Sequence, residues 1–359
     1  MKIGIPKEIK NHEYRVGLLP QYVDLLVQQG HQVWVEKDAG AGIQLSDKDY
    51  QNAGAQIAKQ IELYQACELI IKVKEPQQSE YSLLNKNHIL FTYLHLAASS
   101  DLTQALCNSG ATCLAYETIE LDNGQLPLLF PMSEIAGRIS IQAGAHMLEK
   151  AQGGMGKLLG GLAGVNAADV VIIGAGVVGQ NALQMAVGMQ ANVTVLDTDI
   201  NKLRMIKSVY QNKVSCLLSD AISLKQAVLN ADLIIGSILL PGKKAPKLLP
   251  KTWLRQMRKG AVLVDVAIDQ GGCFETSKPT THQEPAYVLD NIVHYCVANM
   301  PGAVPLTATQ SLNNATFKYI QAIANLGLET AISQYPELNS GLNIQHNEVV
   351  HPAVKESFV

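Results

Sequence analysis

The sequence has few charges, and none of its apolar runs is long and unbroken. Charged residues make up 16% of the 359 residues, the formal net charge is −3, and no block of like charge stands out. A nucleic-acid-binding surface requires a basic patch, which this charge pattern lacks. The longest apolar stretch, around 158–179, is interrupted by Asn166, Asp169 and several glycines. We therefore interpret it as a loop followed by a strand, not as a membrane span.

The sequence also lacks any Cys-x-x-Cys pair. Most of its cysteines lie in apolar runs, which predicts reduced core thiols in a cytoplasmic protein and disfavours a disulfide framework or a zinc site. The N-terminal segment MKIGIPKEIK does not resemble a signal peptide. The cysteines are Cys67, Cys107, Cys113, Cys216, Cys273 and Cys296.

Short β-type runs alternate with helical patterns along the whole chain, which predicts parallel α/β sheets. One series of strands is expected near 2–6, 32–36, 68–73, 88–94 and 112–116. A second is expected near 169–173, 192–196, 213–217, 232–236, 261–267 and 292–297. Six strands with intervening helices match a complete doubly wound dinucleotide-binding domain. A hydrophobic content of 47% suits two cores, since single cores stop growing near ~250–300 residues.

Two long helical patterns, about 133–150 and 306–333, enclose the second series of strands and suggest an inserted domain. We predict two doubly wound Rossmann-like domains. The cofactor domain, 128–305, would be inserted into a substrate domain made of 1–127 and 306–359. Small ligands usually bind in the cleft between such domains. The stretch 153–164, with six glycines, is predicted to be a loop, and the tail after the last helix is expected to be irregular.

The segment DVVIIGAGVVGQ carries the strongest single signal. Gly174, Gly176 and Gly179 follow a predicted strand and precede a helical pattern. The first glycine permits a tight turn, the second lets the backbone approach a pyrophosphate, and the third lets the helix pack close to the strand. The pyrophosphate would lie at the helix N-terminus, where N–H groups and the helix dipole favour anions.

An acidic residue at the end of the next strand completes this pattern. Asp197 lies where a carboxylate accepts hydrogen bonds from the ribose hydroxyls of NAD and repels the 2′-phosphate of NADP. Thr198 follows and no arginine lies beside it, so NAD is favoured, although Lys202 is near. The alternative role for Asp197 is to cap the next helix.

Four polar residues are predicted to follow strands, at the edge where ligands bind in open α/β sheets. They are Arg15, Lys74, His95 and Asp269. Each has a simpler alternative: a surface charge, a lysine emerging into water, a core histidine and a turn residue. Together, two cations, an acid/base group and a carboxylate suit an α-amino or α-keto acid. In ELIIKVKEP, Lys72 shares a strand face with Lys74, and we expect its side chain to extend towards water.

Several long segments together resemble one family, over nearly the whole chain. They are MKIGIPKEIKNHEYRV, KVKEP, FTYLHLAAS, PMSEIAGR, VVIIGAGVVG, GAVLVDVAIDQGGCFE, SKPTTH and HYCVANMPGAVP. The sequence resembles the alanine dehydrogenases, which are related to the NAD-binding subunit of proton-translocating transhydrogenase. The resemblance implies NAD-dependent oxidative deamination of L-alanine to pyruvate and ammonium, with hydride transfer in the interdomain cleft.

The resemblance also implies roles for individual residues. Arg15 matches the residue that binds the substrate carboxylate, Lys74 the one that contacts a substrate oxygen, and Asn299 a residue that closes the pocket. His95 matches the acid/base histidine and Asp269 the catalytic aspartate. The positions that match nucleotide contacts, besides the three glycines, are Ser133, Val177, Val178, Asp197, Lys202, Ser219, Ile238, Leu239, Val266, Ala267, Ile268, Lys278, Val297, Ala298 and Met300.

The remaining expectations concern metals, partners and rival functions. Some relatives hold magnesium with a glutamate and a histidine; Glu117 matches the first, but Leu326 occupies the second position, so we predict no metal. A homo-oligomer, a hexamer by resemblance, is expected because Ile320, Ile323 and nearby residues form an apolar helix face. The alternative functions are a transhydrogenase NAD domain, a saccharopine-type dehydrogenase and a catalytically inactive NAD sensor.

Overall fold

The computed structural model describes residues 1–238 and 245–357. The chain forms two compact units. Unit 1 comprises Met1–Met132 and Val304–Val359, and unit 2 comprises Ser133–Ala303. Each unit is built on its own sheet with helices around it. The predicted α/β class with two domains is confirmed; the sequence placed the divisions at 127/128 and 305/306.

The helices and strands follow one another in an alternating order. In the described part of the chain the strands are β1 (Lys2–Ile5), β2 (Gln32–Glu36), β3 (Gln56–Ala58), β4 (Leu69–Ile71), β5 (Ile89–Thr92), β6 (Thr112–Ala115), β7 (Asp169–Ile173), β8 (Asn192–Asp197), β9 (Val214–Leu218), β10 (Leu233–Gly236), β11 (Val262–Asp265), β12 (Ala286–Leu289), β13 (Ile292–Tyr295), β14 (Leu342–Gln345) and β15 (Glu348–Val349). The α-helices are α1 (Pro20–Gln28), α2 (Asp47–Asn52), α3 (Gln60–Ala66), α4 (Ser100–Ser109), α5 (Phe130–Met147), α6 (Val177–Gly188), α7 (Ile200–Tyr210), α8 (Ala221–Leu229), α9 (Pro305–Leu326), α10 (Leu328–Gln334), α11 (Leu338–Gly341) and α12 (Pro352–Glu356).

The sheet of unit 1 has the order β15-β14-β6-β5-β4-β1-β2-β3. Its first six strands along the chain pair in parallel, whereas β14 joins β6 in antiparallel fashion and β15 joins β14. The predicted irregular tail is therefore wrong, because these last strands extend the sheet. The short strand β3 was also not predicted from the sequence.

The long C-terminal helix is two helices. α9 ends at Leu326 and α10 begins at Leu328, with Gly327 between them at φ 77° and ψ 162°. Ile320, Ile323 and Ala324 are buried within the chain's own fold. Leu328, the fourth residue of the predicted face, is half-buried. Most of the apolar face that suggested an oligomer is thus covered within the chain's own fold and gives that prediction little support.

The sheet of unit 2 has the order β12-β13-β11-β10-β7-β8-β9. Six of its strands are parallel and agree with the six predicted ones. β12, which the sequence did not predict, pairs with β13 in antiparallel fashion at one edge. Within the described residues, no helix is both long and apolar enough to cross a membrane.

Candidate active site

Three of the predicted residues follow neighbouring strands of unit 1. β5, β4 and β1 are adjacent and parallel, so their carboxyl ends lie at one edge of the sheet. His95 follows β5, Lys74 follows β4, and Arg15 lies in the loop after β1. This is the edge at which open α/β sheets bind ligands.

Arg15 is held by its near neighbour Glu13. The Arg15 Nε and Nη2 atoms donate to the two Glu13 carboxylate oxygens at 2.7 and 2.5 Å, and both side chains are buried. A two-point contact of this kind fixes the plane of the guanidinium. Burial disfavours the Glu13 carboxylate, but Arg15 and the charge of Lys74 outweigh it and lower the Glu13 pKa to about 2. The Nη1 atom lies 3.1 Å from Met132 Sδ.

Helix α9 holds the loop that carries Arg15. The buried Asn313 side chain accepts from the Leu19 N–H at 2.7 Å and donates to the Gly17 carbonyl at 3.1 Å. Thr309 Oγ1 accepts from the Val16 N–H at 3.3 Å. These contacts satisfy backbone groups that would otherwise be buried unpaired, and they fix the path of the loop.

The prediction for Lys72 was wrong. Its side chain has no exposed surface, and its Nζ lies 2.9 Å from Glu80 Oε1 and 3.2 Å from Glu8 Oε2. Burial works against the Lys72 ammonium, but these two carboxylates outweigh it and raise the pKa of the lysine. A buried charge persists only when it is paired, so Lys72 points into the unit and not towards water.

This buried group also fixes the backbone at Lys74. Glu8 Oε1 accepts from the N–H groups of Val73 at 2.6 Å and Lys74 at 3.2 Å, while Glu8 Oε2 contacts Lys72. The Lys74 carbonyl accepts from Thr92 Oγ1 at 3.0 Å. The side chain of Lys74, a residue 9% exposed, therefore extends from a backbone held on both sides.

His95 has an unusual backbone conformation. Its φ of 51° and ψ of 40° lie in the left-handed region, which costs a residue with a side chain roughly 1–2 kcal/mol. Its ring is parallel to that of Tyr93, with centroids 6.0 Å apart, and its side chain is 45% exposed. The core-histidine alternative is therefore wrong. Strained residues of this kind cluster at functional sites.

The glycine-rich turn of unit 2 has the form that the sequence predicts. Gly174, after β7, has a φ of 103°, and Gly176 caps α6 without a side-chain hydrogen bond. A Cβ on Gly179 would lie 1.8 Å from the Gly174 carbonyl oxygen, whereas a Cβ on Gly176 would meet open space. The turn thus packs closely on one side and leaves room beside the helix N-terminus, which fits a bound pyrophosphate.

Asp197 ends β8 beside this turn. Its Oδ2 accepts from the Ala175 N–H at 2.6 Å, and its Oδ1 accepts from the Asp199 N–H at 2.8 Å. The N-cap of α7 is Asp199, whose side chain accepts from the Asn201 N–H. The alternative role of Asp197 as a helix cap is therefore wrong. Its carboxylate is hydrogen-bonded to Ala175, which lies between the first two glycines of the turn.

Asp269 lies in a short 3₁₀ turn, Val266–Gln270, after β11. The buried Asp265 begins this turn, accepting from the N–H groups of Ala267 at 3.1 Å and Cys273 at 2.8 Å. Asp269 itself is exposed. The buried Asp265 carboxylate therefore fixes the turn that carries the exposed Asp269.

Most other predicted nucleotide positions also follow parallel strands of unit 2. Ser219 follows β9, and its N–H donates to the Asp197 carbonyl at 2.9 Å. Lys202 is exposed on the first turn of α7, and Lys278 is exposed in the loop before β12. Leu239 lies outside the described residues. The other positions are Ser133 on α5, Ile238 after β10, the buried Ala267 and Ile268 beside Val266 after β11, and Val297, Ala298 and Met300 after β13.

Asn299, also after β13, has left-handed φ at 60°. The His282 Nε2 lies 3.1 Å from the Asn299 carbonyl oxygen, which ties the two loops together. Glu13 and Met132, which contact the Arg15 guanidinium, were not predicted from the sequence. Glu13 had a signal that could have been used, an acid two residues before a candidate ligand-binding arginine.

Glu117, which by resemblance matches a metal-binding glutamate of some relatives, contacts the backbone of a neighbouring turn. Glu117 accepts hydrogen bonds from the backbone N–H groups of Leu94 and His95. Leu326, at the position of the second ligand, has no atom that can bind a metal ion. No group of three or more metal-binding side chains occurs among residues 1–238 and 245–357. This set of residues does not fit a magnesium site.

The fold defines a two-domain α/β protein whose second unit is of the Rossmann-like class. Family models for the N-terminal and C-terminal domains of alanine dehydrogenase/PNT match residues 4–136 and 140–352. The chain belongs to the alanine dehydrogenase/PNT family.

Individual relatives match along the whole chain. An alanine dehydrogenase of Halomonas elongata is 54% identical, covering 100% of this chain and 97% of the relative. An alanine dehydrogenase of Staphylococcus haemolyticus is 50% identical, and the match covers 100% of this chain and 96% of the relative. A solved structure of an L-alanine dehydrogenase is 50% identical, with a TM-score of 0.96, and the match covers 100% of this chain and 99% of the other. A transhydrogenase of Sinorhizobium meliloti shares the fold, with a TM-score of 0.83 at 22% identity, covering 98% and 100%.

Proposed function

We propose that this protein is an NAD-dependent L-alanine dehydrogenase. It converts L-alanine, NAD⁺ and water to pyruvate, ammonium, NADH and a proton, and it catalyses the reverse reductive amination. The observation that carries the proposal is identity of 54% and 50%, over the full length of this chain, to proteins named alanine dehydrogenase. The polar residues at the carboxyl edges of both sheets suit the same reaction.

In this proposal, unit 1 binds the substrate. The Arg15 guanidinium, oriented by Glu13, holds the substrate carboxylate, and the Lys74 ammonium polarises the keto oxygen of pyruvate. Both residues are almost fully buried, at 2% and 9% exposed. Charge–charge contacts are stronger in such an environment than in water. Asn299 matches, by resemblance, the family residue that closes the pocket.

His95 and Asp269 carry the proton transfers. In deamination, water adds to the carbon of the iminium group, and the His95 imidazole takes the proton that the water loses and returns it to the departing nitrogen. Histidine suits this task because its ordinary pKa lies near neutrality. The Asp269 carboxylate stabilises the positive charge of the iminium nitrogen.

Unit 2 binds NAD, which when bound accepts a hydride from the Cα of L-alanine. Gly174, Gly176 and Gly179 form the turn for the pyrophosphate, which the α6 N-terminus attracts, and Asp197 accepts from the ribose hydroxyls. The open space beside Gly176 supports this assignment. By resemblance, Lys278 lies where the family commonly has an arginine, and a lysine would contact phosphate as a point charge, not as a planar two-point donor.

The same proposal extends to assembly and location. By resemblance, the protein is a homo-oligomer, a hexamer. Its cysteine pattern favours the cytoplasm, and we expect it to need neither a metal ion nor nucleic acid. Gel filtration with light scattering tests the assembly. A particle of the monomer mass, 38.8 kDa, would contradict it.

The activity is tested by mixing protein, pyruvate, ammonium and NADH and following nicotinamide absorbance. We expect loss of NADH that requires both pyruvate and ammonium, and much slower loss when 2-ketoglutarate replaces pyruvate. Loss without ammonium would indicate a hydroxy-acid dehydrogenase. No loss under any of these conditions would contradict the proposal.

A further inference from the structure

The turn that presents His95 is held by a residue from the neighbouring strand. β5 and β6 are parallel neighbours, with Thr92 paired to Ala115, so both chains leave the sheet at the same edge. Glu117 follows β6 in a 3₁₀ turn and His95 follows β5. Their sequence separation is large, but the sheet register places them side by side.

The contacts of Glu117 converge on the strained part of the chain. Its Oε1 accepts from the His95 N–H at 2.6 Å, and both oxygens lie 3.2 Å from the Leu94 nitrogen. The same Oε1 lies 3.9 Å from His95 Nδ1, beyond hydrogen-bond distance. The side chain is only 14% exposed, so water competes poorly for it.

We propose that Glu117 is a positioning residue for His95. A left-handed histidine is costly and persists only when its surroundings hold it. The carboxylate does so by accepting two consecutive N–H groups, and charged acceptors form the stronger hydrogen bonds. Without it, the turn at 94–98 would relax and the exposed imidazole would move away from the substrate. The contact is with the backbone, so Glu117 acts through His95.

This inference rests on the proposed function for its kinetic readout. Glu117→Ala should lower kcat on the order of 10²-fold, the typical effect of a displacement of about 1 Å at a reacting group. KM for pyruvate should change little, because Glu13 and Glu8 hold Arg15 and Lys74. NADH binding, followed by fluorescence, should be unchanged. Glu117→Gln keeps an Oε1 acceptor and should retain most of the activity.

Hydrogen–deuterium exchange gives a readout that does not depend on turnover. Backbone exchange in 94–98 should accelerate in Glu117→Ala and stay near wild type in Glu117→Gln. Glu62→Ala is the matched control, because Glu62 also accepts a backbone N–H in unit 1, from Lys59. It should leave kcat and exchange in 94–98 unchanged.

The outcomes separate the possibilities. A folded Glu117→Ala variant with wild-type kcat would overturn the inference, as would a Gln variant that loses as much kcat as Ala. If Glu117→Ala does not fold, the Gln variant decides: near-wild-type kcat and exchange support the inference, and losses equal to those of His95→Ala overturn it. If the wild type lacks activity, the proposed function fails, and exchange in 94–98 still tests the role of Glu117.

Discussion

The Lys72 ammonium lies 2.9 Å from the Glu80 carboxylate, and neither side chain has any exposed surface. Glu8, 3.2 Å away on another element, completes the group and also binds the backbone N–H of Lys74. Two lysines with one residue between them thus have separate tasks. Lys72 stabilises the interior, whereas Lys74 contacts a substrate oxygen in the proposed function.

Lys72→Ala should destabilise unit 1 strongly. Removing one partner of a buried ion pair leaves an uncompensated charge and costs roughly 3–5 kcal/mol. The matched control is Lys10→Ala, whose lysine pairs with Glu75 at the surface and should cost within about 1 kcal/mol. Denaturant unfolding of both variants measures the difference. Equal losses would contradict the buried-pair account.

His95→Gly and His95→Ala should differ in stability, but both should lose activity to a similar extent. Glycine tolerates a φ of 51° and alanine does not, so the Gly variant should be the more stable by about 1 kcal/mol. Both lack the acid/base group, which typically contributes ~10²–10⁴-fold to turnover. Thermal unfolding and kcat for pyruvate amination measure the two effects. Near-normal turnover in either variant would remove His95 from the proposed mechanism.

Asp197→Ala should weaken the preference for NAD, because the carboxylate repels a 2′-phosphate. Asp199→Ala is the control, since it removes the same charge two residues away but only uncaps α7. The measured quantity is the ratio of kcat/KM for NADH to that for NADPH. The ratio should fall in Asp197→Ala and hold in Asp199→Ala. A wild type that uses both cofactors equally would contradict the assignment.

Acid should destabilise the wild type partly through Glu13. The folded-state pKa of about 2 is below the ordinary 4.5, so Glu13 contributes stability above pH 4.5 that is lost as the pH falls towards 2. That contribution is on the order of 3 kcal/mol. Glu13→Gln should therefore be less stable at neutral pH but lose less stability on acidification than the wild type. The exposed control Glu329→Gln should follow the wild-type profile.

Local sequence patterns predicted the elements that depend on local chemistry. The glycine-rich turn needs three glycines at fixed spacing, and Gly174, Gly176 and Gly179 supply them between a strand and a helix. Most of the parallel strands were visible because they read as apolar runs. The strands that were not predicted, β3, β12, β14 and β15, lie at or next to a sheet edge and have two to four residues each. Their pairing is decided by tertiary contacts.

The positions of the candidate site residues were predictable, but their supports were not. Arg15, Lys74 and His95 follow recognisable strands. The groups that hold them, Glu8 at Lys74 and Glu117 at His95, come from distant parts of the sequence and meet only in the folded sheet. Lys72 was misjudged for the same reason, since Glu8 and Glu80 flank it through the fold. The sequence shows where a charged residue lies along the chain, but the fold decides which residue it pairs with.

The most direct test of the account is kcat/KM for reductive amination of pyruvate in Lys74→Ala, beside wild type and the exposed control Lys86→Ala. Truncating one partner of a buried, charged hydrogen bond costs roughly 2–5 kcal/mol. At about 1.4 kcal/mol per decade, this corresponds to a loss on the order of 30- to several-thousand-fold. We expect that loss in Lys74→Ala, with NADH binding intact, and unchanged kcat/KM in Lys86→Ala. A Lys74→Ala enzyme with wild-type kcat/KM would contradict it.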